Sequence, residues 1–341
     1  MKLFCSAIAG LLAIACVTPA FADVIVTPRF TGYFDNSNQR QSGIDTAGSL
    51  PSDTALADLN AQLQSVFGPT ASVSYANSDS GSRASQVFFP MLGASVSFSL
   101  DPERRTQITA TGMYGRGHAD IKNIGTATQH TSIQGQIADD LFVTRGTGRG
   151  KFGRIDAELT LQHRLDETFS LMAGLRYERL RENVSITTQT TGSSNAINLI
   201  NALGGNGIVS YGLLNDTAVG SYKTTSAIYS ARVGAAAYIP LGSTQRIYVN
   251  GLAHINYAPA NTIVLTQVFQ SSGLPQVVNS RIGSETTIGP DISVGYIHQL
   301  GTKASIDIRY RGLFYFPVSG ARSFDDPRVN HGLSIGVSFT L

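Results

Sequence analysis

From Val24 to Leu341 the chain repeatedly alternates large apolar residues with small or polar ones, the period of two that marks strands with one apolar face. The last stretch is the clearest: Leu333, Ile335, Val337, Phe339 and Leu341 alternate with Gly332, Ser334, Gly336, Ser338 and Thr340. Comparable runs occupy Val24 to Asp35, Val87 to Leu100, Arg105 to His118, Phe152 to Leu165, Phe169 to Glu182, Tyr222 to Leu241, Arg246 to Ala258, Thr286 to Leu300 and Ala304 to Phe316. Tight turns at Asp101-Pro102-Glu103, Asp166-Glu167, Gly242-Ser243-Thr244 and Gly301-Thr302-Lys303 alternate with longer polar segments. The pattern predicts ten antiparallel strands joined by four tight turns and five longer loops, with both ends of the chain on one side.

Two loop segments break the period. Asp53 to Phe67 carries Leu56, Leu59, Leu63 and Val66 at helical spacing, with Gly68-Pro69 to stop it. Such a helix either packs on its own loop, plugs the barrel mouth or meets a partner. A weaker helical patch runs from Asn195 to Leu203 and ends at Gly204-Gly205. Ala119 to Gly150 reads as a long polar segment, with Gly146-Thr147-Gly148-Arg149-Gly150-Lys151 as a basic loop. A phosphate-loop reading of that stretch fails, because Phe152 stands where Ser or Thr would hold magnesium.

Ten apolar rows need a cover. No run of eighteen apolar residues follows the N-terminal segment, so the sequence offers no transmembrane helix, and a closed barrel in lipid is the remaining way to span a membrane. Composition agrees: 35 glycines, 14% charged residues and a net charge of +2 suit strands between lipid and a polar interior, and give nucleic acid no purchase. Met1 to Ala22 reads as a cleaved secretory signal, with Lys2 at its start and Ala20-Phe21-Ala22 before the cut, leaving 23–341 as one barrel domain. Both cysteines, Cys5 and Cys16, lie inside it, so no disulfide or cysteine metal site is expected in the mature chain; the lipoprotein alternative at Cys16 has Ala13 where leucine is preferred.

The opposite parity assigns a charged row to the lumen: Arg29, Arg154, Asp156, Glu158, Arg164, Arg176, Glu178, Arg232, Arg246, Asp291, Asp307, Arg309 and Arg311. A midplane Arg facing lipid costs about 2 to 4 kcal/mol, which favours the inward placement. Arg179 and Arg181 take the outward face at the outer end of their strand, where they meet either lipopolysaccharide phosphates or water. The inner row is either an ion-pair network that closes the bore or a constriction that selects small polar solutes. Phe30, Phe34, Phe98, Phe314, Phe316 and Phe339 near strand ends suit interfacial girdles.

The ending Ser334, Gly336, Phe339 and Leu341 resembles the C-terminal assembly signal of bacterial outer-membrane β-barrels, and the whole pattern looks like the small porin-like and opacity-type members of that group. The resemblance implies an all-β, ten-stranded, up-and-down barrel with long external loops and short periplasmic turns. It implies the outer membrane of a Gram-negative bacterium, termini in the periplasm, contact with outer-membrane lipid and lipopolysaccharide, and recognition of the last strand by the barrel-assembly machinery. Strand count also resembles the omptin surface proteases and Opc-type adhesins. Omptins need an Asp-Asp and an Asp-His pair; Asp139-Asp140 and Asp325-Asp326 are available, with His118, His254 and His331 as bases, but no Asp-x-His occurs. The His-x-Ser element of lipid A deacylases is replaced by His331-Gly332-Leu333-Ser334, which sets the two side chains on opposite faces. No cofactor motif and no histidine spacing for a metal is present. The expected function is a non-enzymatic surface or envelope role with binding at the external loops, alongside low-conductance passage of small solutes; the alternatives are a dedicated diffusion pore and, third, an enzyme.

Overall fold

The computed structural model describes residues 24–35, 53–84, 86–205, 216–269, 275–319 and 328–341. The signal segment, the lipoprotein candidate Cys16 and the pair Asp325-Asp326 lie outside the described residues. In chain order the elements are β1 (Val24–Asp35), α1 (Asp53–Phe67), β2 (Ser72–Ala84), β3 (Val87–Ser99), β4 (Thr106–Ile133), β5 (Gln136–Arg164), β6 (Phe169–Gly192), α2 (Asn195–Ala202), β7 (Asp216–Pro240), β8 (Gln245–Ala258), β9 (Asn261–Phe269), β10 (Pro275–Ile282), β11 (Glu285–Gln299), β12 (Ala304–Ser319) and β13 (Arg328–Thr340).

Ten of these strands form a ring. β1 pairs with β3 on one side and with β13 on the other, and the order runs on through β4, β5, β6, β7, β8, β11 and β12, every neighbour antiparallel. Closure satisfies the backbone donors and acceptors that an open sheet would leave in lipid. The last link is local: the Leu341 N–H donates to the Val24 carbonyl at 2.9 Å, so the start of β1 and the end of β13 meet at the short-turn end.

Outward side chains form an apolar wall, including Leu92, Leu159, Leu175, Val233, Ile292 and Ile335. On β1 the outward row runs from Val24 to Phe34. Ten inter-residue rises of about 3.3 Å, tilted by about 40°, span roughly 25 Å, the height of the apolar band of an outer-membrane barrel. Aromatic residues mark its upper rim: Phe34 lies 5.0 Å from Phe88 and 5.5 Å from the His331 ring, and Tyr177 lies 5.4 Å from Tyr229.

Three parts of the expected layout are corrected. Ala119 to Gly150 is not a loop: β4 and β5 continue as paired strands to a two-residue turn at Gln134-Gly135, both with positive φ (51° and 81°), the backbone of a hairpin whose twist matches its strands. The basic stretch Gly146 to Lys151 is therefore central strand, paired with β4 and β6. Secondly, β2 lies within what read as the first long loop and pairs with β4. Thirdly, β9 and β10 form a hairpin between β8 and β11, attached to the distal part of β7. Beyond the ring the order is thus β10-β9-β7-β6-β5-β4-β2, a seven-stranded open sheet standing on one side of the barrel. Its β4 arm runs from Tyr114 at the rim to Ile133, about 60 Å of strand at 3.3 Å per residue.

Helix α1 packs at the far end of that sheet and does not enter the bore. Leu63 and Phe67 are buried with Ala71, Val73, Ile133 and Ala138, and with Ala196 and Ile200 of α2. The Asn60 side chain ties α1 to β2, accepting from the Val73 N–H at 2.7 Å and donating to its carbonyl at 3.0 Å. Val66, expected on the apolar stripe, is 52% exposed, and Phe67 takes the buried position. The side chains of Leu56 and Leu59 lie outside the described residues.

Candidate functional site

The bore has three levels. At mid-height lies an ion network built from five arginines, Arg154, Arg176, Arg232, Arg311 and Arg328, and five carboxylates, Asp35, Asp156, Glu158, Glu178 and Asp291. Its formal charge is zero. Arg154 is fully buried and reaches Asp156 and Glu178 at 3.2 Å and Asp35 at 3.5 Å. Arg311 holds Asp291 and Glu158, both at 2.6 Å, while Arg232 meets the same two acids at 3.1 and 2.9 Å. Arg328 pairs with Glu178 and with Asp35 at 3.2 Å. The guanidiniums also stack: Arg154 sits 5.0 Å from the Tyr33 ring centre and Arg328 4.9 Å from that of Tyr315. In so shielded a place each charge must be matched, because one left alone would cost several kcal/mol.

Above this network the inner faces turn largely apolar, with the buried Glu182 between Leu180 and Val184 of β6 as an exception. Val87, Phe89 and Met91 of β3, Ile121 of β4, Phe152 of β5, Leu180, Val184 and Ile186 of β6 and Tyr222 of β7 form one buried cluster with Leu313 and Tyr315 of β12. Phe89 meets Phe152 edge-on at 6.5 Å. Among the described residues this layer lies between the ion network and the tall sheet. The glycines there serve close packing: a Cβ on Gly117 would come within 2.5 Å of the Phe88 carbonyl.

Below the network, at the short-turn end, the bore opens into a cavity of about 350 Å³. Arg29 lies on its wall, ion-paired with Asp307 at 2.7 Å, and the Tyr248 hydroxyl donates to the same carboxylate at 2.7 Å. Arg309 also lines the cavity and makes no ion pair among the described residues. Arg164 and Arg246 stand exposed at the cavity's mouth, Arg246 with its guanidinium 5.6 Å from the Tyr238 ring centre. Asp35 and Arg328 were missed by the sequence reading of the lumen, although both share the inward parity of their strands with Arg29 and with Asn330, respectively.

Outside the ring, just above the aromatic rim, cations gather on one side. Arg116 on β4, Lys151 on β5, Arg179 and Arg181 on β6 and Lys223 on β7 are exposed on the outward face. Register brings them together: Lys151 is opposite His118 and Asn183, Asn183 is opposite Lys223, and Gly153 lies between Arg116 and Arg181. Arg149 extends the patch upward, 3.7 Å from Asp120.

The residues considered for hydrolysis are dispersed. Asp140 is buried and caps α2, accepting from the Ser193 hydroxyl at 2.6 Å and from the N–H groups of Asn195 and Ala196 at 2.7 and 2.8 Å. Asp139 pairs with His130 at 2.7 Å on the exposed hairpin. His254 is inside the bore, bonded to Asn256 and to the Phe314 carbonyl at 2.9 Å each. His118 lies on the outer wall, and His331 bonds the Tyr310 hydroxyl at 2.8 Å on the barrel exterior. In the last strand, the buried Ser334 hydroxyl accepts from Thr31 at 2.9 Å, Gly336 leaves room for Thr27 and Arg29, and Phe339 and Leu341 face outward.

A closed antiparallel ring with a bilayer-high apolar wall outside and charge inside defines a transmembrane β-barrel of the outer-membrane type. No family model matches the sequence, and no curated protein matches it. Among solved structures, the outer membrane protease OmpT from Escherichia coli aligns with a TM-score of 0.42 at 10% identity, over 95% of this chain and 99% of that one. The translocator domain of the autotransporter NalP from Neisseria meningitidis aligns at 0.30 and 10% identity, over 100% and 97%. Neisserial surface protein A aligns at 0.26 and 11% identity, over 59% and 96%.

Proposed function

We propose that the protein is a non-enzymatic surface barrel of a Gram-negative outer membrane, which carries its tall sheet outside the cell and does its work there. The single observation that supports this most is the contrast between the two ends: a bore filled by a neutral ion network and an apolar layer, and above it a seven-stranded sheet braced by α1 and α2. The short-turn end, with both strand termini, faces the periplasm in this reading, and β13 is the strand presented to the assembly machinery. The outward cations Arg116, Lys151, Arg179, Arg181 and Lys223 sit where the phosphates of lipopolysaccharide would lie and would fix the barrel's height and tilt by charge-assisted hydrogen bonds.

The test is to shorten the sheet and leave the barrel. Joining Ile121 to Gly148, which face each other in register, removes the upper β4–β5 hairpin. In unbroken bacteria, protease added from outside is expected to cut the intact protein within the tall sheet and to spare the shortened form, while heat-modifiable migration shows both barrels folded. No cleavage of the intact protein in unbroken cells removes the surface reading. A dedicated diffusion pore is the second reading, favoured by the cavity at the short-turn end; it requires the apolar layer to part, and steady conductance of the intact protein would support it.

A further inference from the structure

The cavity below the ion network has a charge imbalance that the rest of the bore lacks. Its wall carries eight arginines and four carboxylates, an excess of four positive charges. The arginines shared with the central network are matched there, and Arg29 is matched by Asp307. Arg309 is not. The acids near it are already engaged: Asp307 holds Arg29 and the Tyr248 hydroxyl, each at 2.7 Å, and Glu158 holds Arg311 at 2.6 Å and Arg232 at 2.9 Å, while the Arg309 Nε is shielded from solvent with no hydrogen-bond partner. Arg246 and Arg164, at the mouth of the same cavity, also make no ion pair among the described residues.

A guanidinium offers five donors in a planar fork that fits an oxyanion, and a shielded one without a partner is a costly arrangement unless something fills the place. The lining supplies hydroxyls as well: Ser95, Ser97, Thr109 and Thr111 face the cavity, with Ser95 and Thr111 bonded to each other at 2.8 Å. We propose that this vestibule is a binding site for a small phosphate-class oxyanion, held at its inner end by Arg309 and drawn in by Arg246 and Arg164 at the mouth. The apolar layer above makes it a dead end, entered and left at the short-turn side. The site is independent of what the outer sheet binds.

The test uses the full mature chain refolded in detergent and inorganic phosphate as probe, titrated by calorimetry against a chloride buffer of equal ionic strength. One saturable site is expected, weakened at least tenfold by Arg309→Gln and less by Arg246→Gln, with heat-modifiable migration as the check on folding. No saturable heat, or equal affinity in Arg309→Gln, overturns the proposal. Should Arg309→Gln fail to fold, the exposed pair Arg164→Gln and Arg246→Gln decides: a combined variant that binds phosphate as the wild type does overturns it, and one that binds several-fold more weakly supports it.

Discussion

Glu178 is the most connected carboxylate of the bore, and its neutralisation measures what the ion network contributes. It is 1% exposed and accepts from Arg154 at 3.2 Å, from Arg176 at 3.1 Å, from Tyr315 at 3.4 Å and from Arg328. Glu178→Gln preserves shape, leaves no cavity and removes one negative charge from a network of five and five. Breaking one side of a buried pairing costs about 3 to 5 kcal/mol, because the remaining charge stays shielded and unmatched. With a urea dependence of about 2 kcal/mol per molar, the unfolding midpoint in detergent falls by roughly 1.5 to 2.5 M. The double variant Glu178→Gln with Arg328→Met restores neutrality and should recover more than half of that loss, since replacing a whole buried pair is often near neutral. A single variant within about 0.5 kcal/mol of wild type, the range of an ordinary surface change, would refute the view that charge matching organises the bore.

Other expectations follow from single sites. Phe89→Ala should destabilise the barrel by about 3 to 5 kcal/mol by opening a cavity in the apolar layer, yet carry no current, because the ion network below still fills the bore; conductance in that variant would mean the network does not seal. Gly135→Val forces a branched residue to a φ of 81° at the hairpin tip, a strain of about 1 to 2 kcal/mol that should appear as faster proteolysis there with unchanged barrel migration. Asp140→Ala removes the cap of α2 at a cost of about 1 kcal/mol, read as faster amide exchange at Asn195 and Ala196 and not at β6. In the turn between β3 and β4, the Arg105 N–H, with that of Thr106, holds the exposed Asp101 carboxyl below its ordinary range. A depressed folded value means that these bonds are intact above the unfolded value of about 3.9 and are lost as pH falls through the folded one. The Arg105 and Thr106 amide shifts should therefore titrate below that point, and a midpoint at or above it contradicts the geometry.

The ring was legible because lipid and lumen impose opposite chemistry on alternate residues. Leu171, Ala173 and Leu175 against Ser170, Met172 and Arg176 leave little room for another parity. Above the membrane that contrast disappears. Along β4 and β5 from Ala119 to Gly150 the outward face carries Asp120, Lys122, Arg145 and Arg149, so β structure looks like polar loop, and Gln134-Gly135 is a less familiar hairpin turn than Asn-Gly. The same loss of contrast hid β2 and β9, whose partners are distal parts of β4 and β7, and β10, which pairs with β9. Asp35 and Arg328 sit at strand ends, where a strand reading and a loop reading compete; only the ring closure through β1 and β13 brings both beside Glu178 and Arg154. Val66 and Phe67 are adjacent on α1, and which of them faces inward depends on what packs there, a fact of tertiary structure.

The most direct test of the account is the single-channel conductance of the refolded mature protein in a planar bilayer. A neutral ion network under an apolar layer predicts a silent membrane at moderate voltage, with insertion verified by heat-modifiable migration of the same preparation. A steady, ion-selective current from the intact chain would contradict the sealed bore and turn the barrel into a pore.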